Sequence, residues 1–211
     1  MRLKWGIGLL LTGVMIFGLA SAAFGYGTLG ETDQMYTPTP ATLSQGSLGI
    51  GVNFAQDSLS YFNFDYGLVP DLEAGVAVFN YPDNTRITFR GKFRLLREDK
   101  DTPSLTLGIE DIGKDEELSP YLTVGKTFSD VGIKGYIGVG GGGFDGVFGG
   151  LSKTFNTGSS RGSLRSVELY LEADSHALNL GTKLQVGSQT KINFGLVDME
   201  RWIFGATFLI K

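Results

Sequence analysis

The stretch RITFRGKFRL, residues 86–95, alternates apolar and charged side chains with a period of two. One face carries apolar side chains: Ile87, Phe89 and Phe93. The other face carries basic side chains: Arg86, Arg90, Lys92 and Arg94. Successive side chains of a β-strand point to opposite faces, so strict alternation predicts a strand with one apolar and one polar side.

The same alternation continues from Ser47 to the end of the chain and predicts twelve strands. A second clear example is SVELYLEAD, residues 166–174, in which every other residue from Val167 is apolar and most of the others are acidic. Turn-forming residues separate the strands, as in Val69-Pro70-Asp71. Because most connections are short, neighbouring strands are expected to pair as an antiparallel meander.

The alternation alone is compatible with a soluble β-sandwich or with a transmembrane barrel. Three features favour the barrel. The apolar faces are almost free of charge, with exceptions at Lys126 and Lys153 close to turns. Several strands carry aromatic residues near their ends, as the interfacial girdles of outer-membrane barrels do. The spacing of about 14 residues per strand and turn also suits membrane-spanning strands of ~9–11 residues. We therefore expect an all-β, antiparallel up-and-down transmembrane barrel.

The stretch IGVGGGGFDGVFGG, residues 137–150, is dominated by glycine and could suggest a phosphate-binding loop. That chemistry requires a helix after the loop, and the sequence LSKTF that follows it alternates like a strand. A barrel needs small residues where its wall bends sharply or where large neighbours crowd the lumen. We predict that residues 140–146 form the tip of a hairpin and that the glycines serve bending and packing.

The beginning of the chain has the pattern of a secretory signal peptide. Arg2 and Lys4 precede an apolar run, and small residues offer cleavage after Ala22 or after Gly25. The sequence predicts three parts: a signal peptide at 1–22, an extended polar segment at 23–46 and the barrel at 47–211. An exported barrel of this kind is expected in the outer membrane, with outer-membrane lipid as its surroundings.

Composition excludes several classes of function. Without Arg2 and Lys4 the chain has 16 basic and 22 acidic residues, and this net charge of about −6 argues against a nucleic-acid partner. The chain has no cysteine, which excludes disulfides, thiol catalysis and Cys-ligated zinc. The segment DIGKDEE, residues 111–117, is acidic but lacks the spacing of a calcium loop, so no metal or cofactor is predicted.

Charged residues on the inward faces form the candidate site, a charge ladder along the lumen. Its members are Glu73, Arg86, Arg90, Lys92, Arg94, Glu110, Glu168, Glu172, Asp174, Lys183 and Lys191. In a narrow barrel such charges pair and fill the interior, whereas in a wider barrel they select ions or glycans. Twelve strands lie between these sizes, so a filled lumen and an open passage are both possible from the sequence.

The triplet Asp174-Ser175-His176 contains the only histidine and could suggest a hydrolase. A catalytic triad needs converging side chains, and three consecutive residues at a hairpin tip point in different directions. We therefore expect no enzymatic activity.

Several stretches resemble the YjbH-like family of outer-membrane barrel proteins, which is associated with exopolysaccharide export. They are PTPATLSQGSLGIGVNF (38–54), LVPDLEAGVAVFNY (68–81), KFRLLRED (92–99), PSLTLGIEDIG (103–113), YLTVGKTFSDVGIKGYIGVGGG (121–142) and LEADSHALNLGTKLQ (171–185). The resemblance implies a barrel that supports envelope polysaccharide export, with polysaccharide or export-machinery proteins as partners. The alternatives are a small porin-like channel for ions or small polar solutes, and a barrel enzyme that acts on lipid or glycan.

Overall fold

The computed structural model describes residues 30–56, 59–113, 117–158 and 163–211. The predicted signal peptide and both of its cleavage positions lie outside these residues. The described part contains twelve β-strands and a short 3₁₀-helix at Gly142–Phe144. The strands are β1 (Leu48–Ala55), β2 (Ser60–Val69), β3 (Leu72–Asn80), β4 (Thr85–Leu96), β5 (Ser104–Ile112), β6 (Ser119–Phe128), β7 (Ile133–Gly140), β8 (Gly146–Asn156), β9 (Leu164–Ala173), β10 (Leu178–Val186), β11 (Thr190–Val197) and β12 (Arg201–Ile210).

The strands form a closed antiparallel barrel in which each strand pairs with its neighbours in the chain. The last strand closes the sheet on the first, with Leu48 opposite Ile210 and Phe54 opposite Phe204. Closure leaves no strand edge with unpaired backbone groups. The predicted fold class, an up-and-down barrel of twelve strands, is confirmed. No helix among the described residues has the length and apolar character needed to cross a bilayer.

The two faces of the wall follow the alternation of the sequence. In β4 the side chain of Phe89 is 54% exposed on the outside, whereas its neighbour Thr88 is 2% exposed on the inside. In β5 the pair Leu107 and Thr106 repeats the pattern, with 50% and 0% exposure. The outer surface of the strands is therefore mainly apolar, and most of the buried residues are polar, the reverse of a water-soluble protein.

The barrel has two ends, which we name by the chain termini. The terminus end holds the start of β1, the end of β12 and the turns that follow the even-numbered strands β2 to β10. The far end holds the turns that follow the odd-numbered strands β1 to β11. Both termini share an end because the number of strands is even.

The segment 30–46 lies inside the barrel, and here the structure differs from the prediction of an extended segment at 23–46, of which residues 23–29 lie outside the described residues. It consists of turns and bends, and it has no strand. Its residues Asp33, Met35 and Thr37 are at most 2% exposed. We call residues 30–46 the lumen segment. Polar residues without periodicity carry no signal for such burial, because the wall that buries them comes from distant parts of the chain.

The glycine-rich stretch forms the β7–β8 hairpin, as predicted, and its tip folds over the far end. Phe144 in the tip is 6% exposed and packs on Tyr121 and Phe148, with ring centroids 5.4 and 5.2 Å away. Gly142 has φ +59, in the left-handed region that favours glycine, and a Cβ there would lie 2.3 Å from the carbonyl oxygen of Leu118. The tip therefore serves as a lid of aromatic side chains and carries no phosphate-binding geometry.

Candidate functional site: a barrel lumen filled by its own N-terminal segment

Glu172 on β9 holds the innermost part of the lumen segment. Its carboxylate accepts hydrogen bonds from the backbone N–H groups of Met35, Tyr36 and Thr37, at 3.0, 2.7 and 3.3 Å. It also accepts from the Thr37 hydroxyl at 2.8 Å and from the Asn179 amide at 3.0 Å. Bonds from several donors stabilise a buried charge that would otherwise be costly. Glu172 thus fixes three consecutive residues of the segment.

Glu73 on β3 holds two more distant points of the same segment. Its carboxylate accepts from the Thr32 hydroxyl at 3.0 Å and from the backbone N–H of Leu43 at 2.7 Å. On the next strand, the ammonium of Lys92 donates to Thr32 Oγ1 at 2.9 Å and forms an ion pair with Asp33 at 2.5 Å. The incoming and the returning parts of the segment are therefore bound to one side of the wall.

Lysines of β10 and β11 bind the segment from the opposite direction. Lys191 forms an ion pair with Glu31 at 2.6 Å, and Lys183 donates to the backbone carbonyl of Asp33. The segment contains two carboxylates, Glu31 and Asp33, and no Lys or Arg. Each of these carboxylates meets a lysine of the wall. The charge of the segment is complementary to the basic part of the lumen.

The predicted charge ladder divides into members that touch the segment and members that do not. Those with a hydrogen bond or ion pair to the segment are Glu73, Lys92, Glu168, Glu172, Lys183 and Lys191. Arg90 forms an ion pair with Asp65 on β2, and its guanidinium also lies against Gly30, since a Cβ on that residue would be 2.9 Å from Nη2. Glu110 is buried at 2% exposure on the inner face of β5.

Three ladder members lie near the ends of the barrel. Arg86 stacks on the ring of Phe79 near the far end, 4.7 Å from its centroid. Arg94 forms an ion pair with Asp71 in the β2–β3 turn at 2.6 Å. Hydrogen bonds from Arg97 and Arg94 hold the pKa of Asp71 below its usual range.

The position of Asp174 differs from the prediction. Asp174 follows the end of β9, and its carboxylate accepts hydrogen bonds from the backbone N–H groups of His176 and Ala177, both at 2.7 Å. Asp174 therefore stabilises a turn at the far end and is not a lumen residue.

Sequence reasoning missed several wall residues that contact the segment or its binding groups, among them Asp65, Thr106 and Asn179. Asp65 accepts from Arg90 Nε at 2.7 Å, Thr106 donates to the carbonyl of Pro40 at 2.8 Å, and Asn179 donates to Glu172. Their inward positions in alternating strands were a usable signal for facing the lumen. No signal in the sequence could show that the partner would be residues 30–46.

Apolar packing seals the lumen near the far end. Met35 of the segment is fully buried in a cluster with Tyr61, Phe79, Tyr170 and Ile203. Met35 also lies over Gly195, where a Cβ would come within 1.8 Å of its terminal methyl group. The thioether side chain fills this irregular gap between rings, as methionine commonly does.

The terminus end has a cavity of about 450 Å³ between the lumen segment and the wall. Side chains of both signs line it, among them Arg94, Glu98, Lys134, Glu168, Lys183 and Lys191. The cavity lies on the side of the segment where the chain enters β1. The lumen is therefore closed near the far end and hollow near the terminus end.

The triplet Asp174-Ser175-His176 does not form a catalytic arrangement. The Ser175 hydroxyl donates to the backbone carbonyl of Phe144 at 3.3 Å, and the Asp174 carboxylate is bound to the backbone of its own turn. A triad requires the hydroxyl to reach the imidazole and the imidazole to reach the carboxylate. Both side chains instead bind backbone groups of the far-end turns.

Comparison with solved structures places the fold among outer-membrane barrels. The KdgM porin superposes with a TM-score of 0.57 at 12% identity, covering 77% of this chain and 98% of that chain. The outer membrane protein Omp33 of Acinetobacter baumannii gives a TM-score of 0.49 at 9% identity, covering 80% of this chain and 98% of that one. At such identities the likeness concerns the fold. No protein-family model and no curated protein sequence matches the chain, so the YjbH-like assignment stays a prediction.

Proposed function

We propose that this chain is a porin-like outer-membrane channel for ions and small polar solutes, and that residues 30–46 close the channel. The role is a passive one without an enzymatic step. In the closed state the lumen segment takes the place of solute and water. In the open state the segment leaves toward the terminus end, through the hollow part of the lumen, and exposes the charged wall.

The observation that supports this proposal is the way in which the segment is attached. Apart from the apolar packing of Met35, its contacts to the wall are mostly hydrogen bonds and ion pairs, such as those of Glu31, Asp33 and Thr37. Groups of this kind exchange protein partners for water at a modest net cost, whereas an apolar core does not. The segment joins β1 through Ser47, and its release breaks one backbone hydrogen bond to the sheet, from the Gly46 N–H to the Gly67 carbonyl of β2 at 2.8 Å.

The fold gives independent support. The KdgM porin, a channel by its name, shares the barrel architecture over 98% of its length. A barrel of twelve strands lies between small barrels with filled interiors and porins with aqueous channels. Removal of the lumen segment from such a barrel leaves a polar interior lined by the charge ladder, which suits ions and small polar solutes.

A second candidate function is a structural barrel that stays closed, in line with the envelope role that the YjbH resemblance implies. The filled lumen favours this candidate, because a permanent filling would have the same contacts. The two candidates differ in whether the segment leaves, and conductance measures that difference.

The test is planar-bilayer conductance of the purified chain and of the double variant Glu31→Gln/Asp33→Asn. This variant keeps the wall intact but removes the two ion pairs that join the segment to Lys92 and Lys191, which destabilises the closed state. We expect the variant to open more often than the wild-type chain, with the same conductance per opening. The matched control is Asp198→Asn/Glu200→Gln, which removes two charges from an exposed turn at the far end and should behave like the wild type.

Heat-modifiable mobility on gels shows beforehand that each variant is folded. If neither the wild-type chain nor the folded double variant conducts, the channel proposal is wrong and the closed structural barrel is favoured. If the control opens as often as the double variant, the ion pairs of the lumen segment do not hold the channel shut.

A further inference from the structure

Charged side chains are almost absent from the outward positions of the twelve strands, and the exceptions are grouped. Among the described strand residues, only Lys126, Lys153 and Arg165 combine a charge with an outward position. All three are cations. They lie on β6, β8 and β9, within one sector of the wall. We call these three residues the basic patch.

All three members of the basic patch lie near the same end of the barrel. Lys126 and Lys153 are close to the ends of β6 and β8, and Arg165 is the second residue of β9. All of these strand ends belong to the terminus end. The outward positions at the far end carry no charge among the described residues, so the patch marks one rim and one sector.

The surroundings of the patch fit the boundary between lipid tails and headgroups. Phe128 and Phe155, at the ends of β6 and β8, are 53% and 48% exposed on the outside. The Lys153 ammonium lies 5.7 Å from the centroid of the Phe155 ring, which holds it beside an apolar surface. Aromatic side chains take this height in outer-membrane barrels, and long basic side chains extend from it toward the headgroups.

Among the described residues, no ion pair joins a cation of the patch to a carboxylate of the strands, although the loop carboxylate of Asp99 interacts electrostatically with Lys126. Lys126 donates to the backbone carbonyls of Asp99, Lys100 and Thr102, neutral groups that fix its height at the rim. The nearby carboxylate of Asp99 binds backbone N–H groups of its own loop, at Asp101 and Thr102. That loop lies beyond the strand ends, in water. The strand surface itself therefore presents positive charge only.

We propose that the basic patch binds the phosphate headgroups of anionic phospholipids in the leaflet at the terminus end. The pairing register places Lys153 roughly 12 Å and Arg165 roughly 25 Å from Lys126 along the sheet, so each cation would meet a headgroup of its own. The acyl chains would lie along the apolar surface next to Phe128 and Phe155. A basic residue at a membrane surface favours anionic lipid, and the effects of several such residues add. The inference rests on insertion of the barrel in a bilayer, as the proposed function also does, but not on conduction.

The placement of the chain termini indicates which leaflet surrounds the basic patch. The chain reaches an outer membrane from the periplasm, and termini that stay on that side do not have to cross the bilayer. The terminus end then faces the periplasmic leaflet, which consists of phospholipid. The phosphate therefore belongs to a phospholipid, and not to the lipopolysaccharide of the outer leaflet.

The test uses the whole mature chain in bilayers of phosphatidylcholine that contain spin-labelled phosphatidylglycerol or spin-labelled phosphatidylcholine. Electron paramagnetic resonance measures the fraction of each label that is immobilised by the protein. We expect the wild-type chain to prefer phosphatidylglycerol. The variant Lys153→Gln/Arg165→Gln should lose this preference, by roughly fivefold in relative affinity for each cation removed.

Two further variants make the result specific. Lys100→Gln/Lys134→Gln removes two cations from the same end of the barrel, one in a loop and one on the inner face, and should keep the preference. Lys153→Arg/Arg165→Lys retains the charges and should keep it as well. Heat-modifiable mobility confirms that each variant is folded, and bilayer conductance of Lys153→Gln/Arg165→Gln should equal that of the wild type.

Four outcomes would overturn the proposal. They are equal immobilisation of both labels by the wild-type chain, an equal loss of preference in Lys100→Gln/Lys134→Gln, displacement of phosphatidylglycerol by free glycerol phosphate, and a stronger preference for spin-labelled lipid A. Failure of the channel proposal has a different signature, a chain that selects anionic lipid normally but does not conduct.

Discussion

At the scale of single residues, glycines and aromatic rings are paired across neighbouring strands on the inner face. Gly138 is opposite Phe148, Gly108 is opposite Tyr121, and Gly181 is opposite Tyr170. In each pair a Cβ on the glycine would come within 2.4 Å of the ring. The ring lies across the neighbouring strand and occupies the space that a side chain would need. Much of the glycine in this chain is therefore explained by space for aromatic side chains in a crowded lumen.

The pairing predicts a large difference between two glycines of the same hairpin. In Gly138→Ala the new methyl group would lie 2.4 Å from Phe148 Cζ and 2.8 Å from Thr123 Cγ2, and Phe148 is buried. Overpacking of this kind costs about 1–3 kcal/mol of unfolding free energy. Gly141→Ala is the matched control, because nothing lies within 4 Å of its added Cβ. Urea unfolding in lipid vesicles should show the loss for Gly138→Ala alone, and equal stabilities would contradict the ring contact.

The outward and inward positions of β5 give a second prediction at this scale. Leu107→Arg places a charge on the apolar outer surface and should cost about 2–4 kcal/mol near the middle of a bilayer. Thr106→Val, on the inner face, loses only the hydrogen bond to Pro40 and should cost about 0.5–1.5 kcal/mol. Folding yields into vesicles measure both effects.

Fluorescent labels on single cysteines locate the same faces directly, since the chain has no cysteine of its own. A quencher attached to lipid should reach a label at residue 107 and should not reach one at residue 106. Quenching at residue 106 alone would mean that the two faces are inverted. Replacing Thr106 with arginine should also destabilise the fold, because Thr106 is buried against the lumen segment and bonded to Pro40.

At the scale of elements, the lumen segment has no regular secondary structure of its own, and its position depends on the wall. Its turns are held by Glu172, Glu73 and Lys92, which lie on three different strands. Buried polar groups of a chain need partners, and here the charge ladder supplies them. The ladder and the segment therefore form one polar network, and each explains the burial of the other.

A disulfide can test the position of the segment. A Cβ on Gly49 would lie 3.0 Å from Cβ of Glu31, whereas disulfides have Cβ–Cβ distances of about 3.5–4.5 Å. A shift of roughly half an ångström in the irregular segment would satisfy this geometry. We expect Glu31→Cys/Gly49→Cys to oxidise to an internal disulfide in the folded barrel, which changes the mobility of the unfolded chain on non-reducing gels.

The control for this crosslink moves one cysteine to the other face of the same strand. In Glu31→Cys/Ile50→Cys the second thiol points to lipid, because successive residues of β1 alternate between faces. This pair should remain reduced under the same conditions. Equal crosslinking of both pairs, or of neither, would place the segment outside the lumen.

At the scale of the whole molecule, closure of the sheet decides the physical behaviour. Each of the twelve strands has two hydrogen-bonded neighbours, so the barrel has no edge at which to begin unravelling in a bilayer or in detergent. The apolar outer surface requires lipid, and the polar interior requires either water or the lumen segment. Both requirements agree with the proposed residence in the outer membrane.

The closed barrel predicts heat-modifiable mobility. The mature chain should fractionate with outer membranes and should migrate faster on gels when it is not boiled, because the folded barrel resists detergent unfolding. Boiling should convert it to a slower form. Recovery from the periplasm as a soluble monomer without detergent would contradict a membrane barrel.

The sequence alone determined the wall of this protein. Period-two alternation, as in β4 and β5, specified the twelve strands, their short connections and the inward or outward position of residues such as Thr106 and Leu107. These properties are local, because each residue of a strand points opposite to its neighbour whatever the rest of the chain does. The inward position of Glu73, Lys92 and Glu172 followed from the same rule.

Only the tertiary structure decided what the lumen contains. The partners of Glu172 in the lumen segment lie 135 to 137 residues away in sequence, and the segment residue that binds Lys191 lies 160 residues away. Contacts over such separations leave no periodic trace, and residues 30–46 have the composition of any polar loop. Asp174 was assigned to the lumen for a different, local reason, since alternation cannot show where a strand ends and a turn begins. Whether the barrel is filled depends on complementarity between distant residues, and that complementarity exists only once the wall has closed.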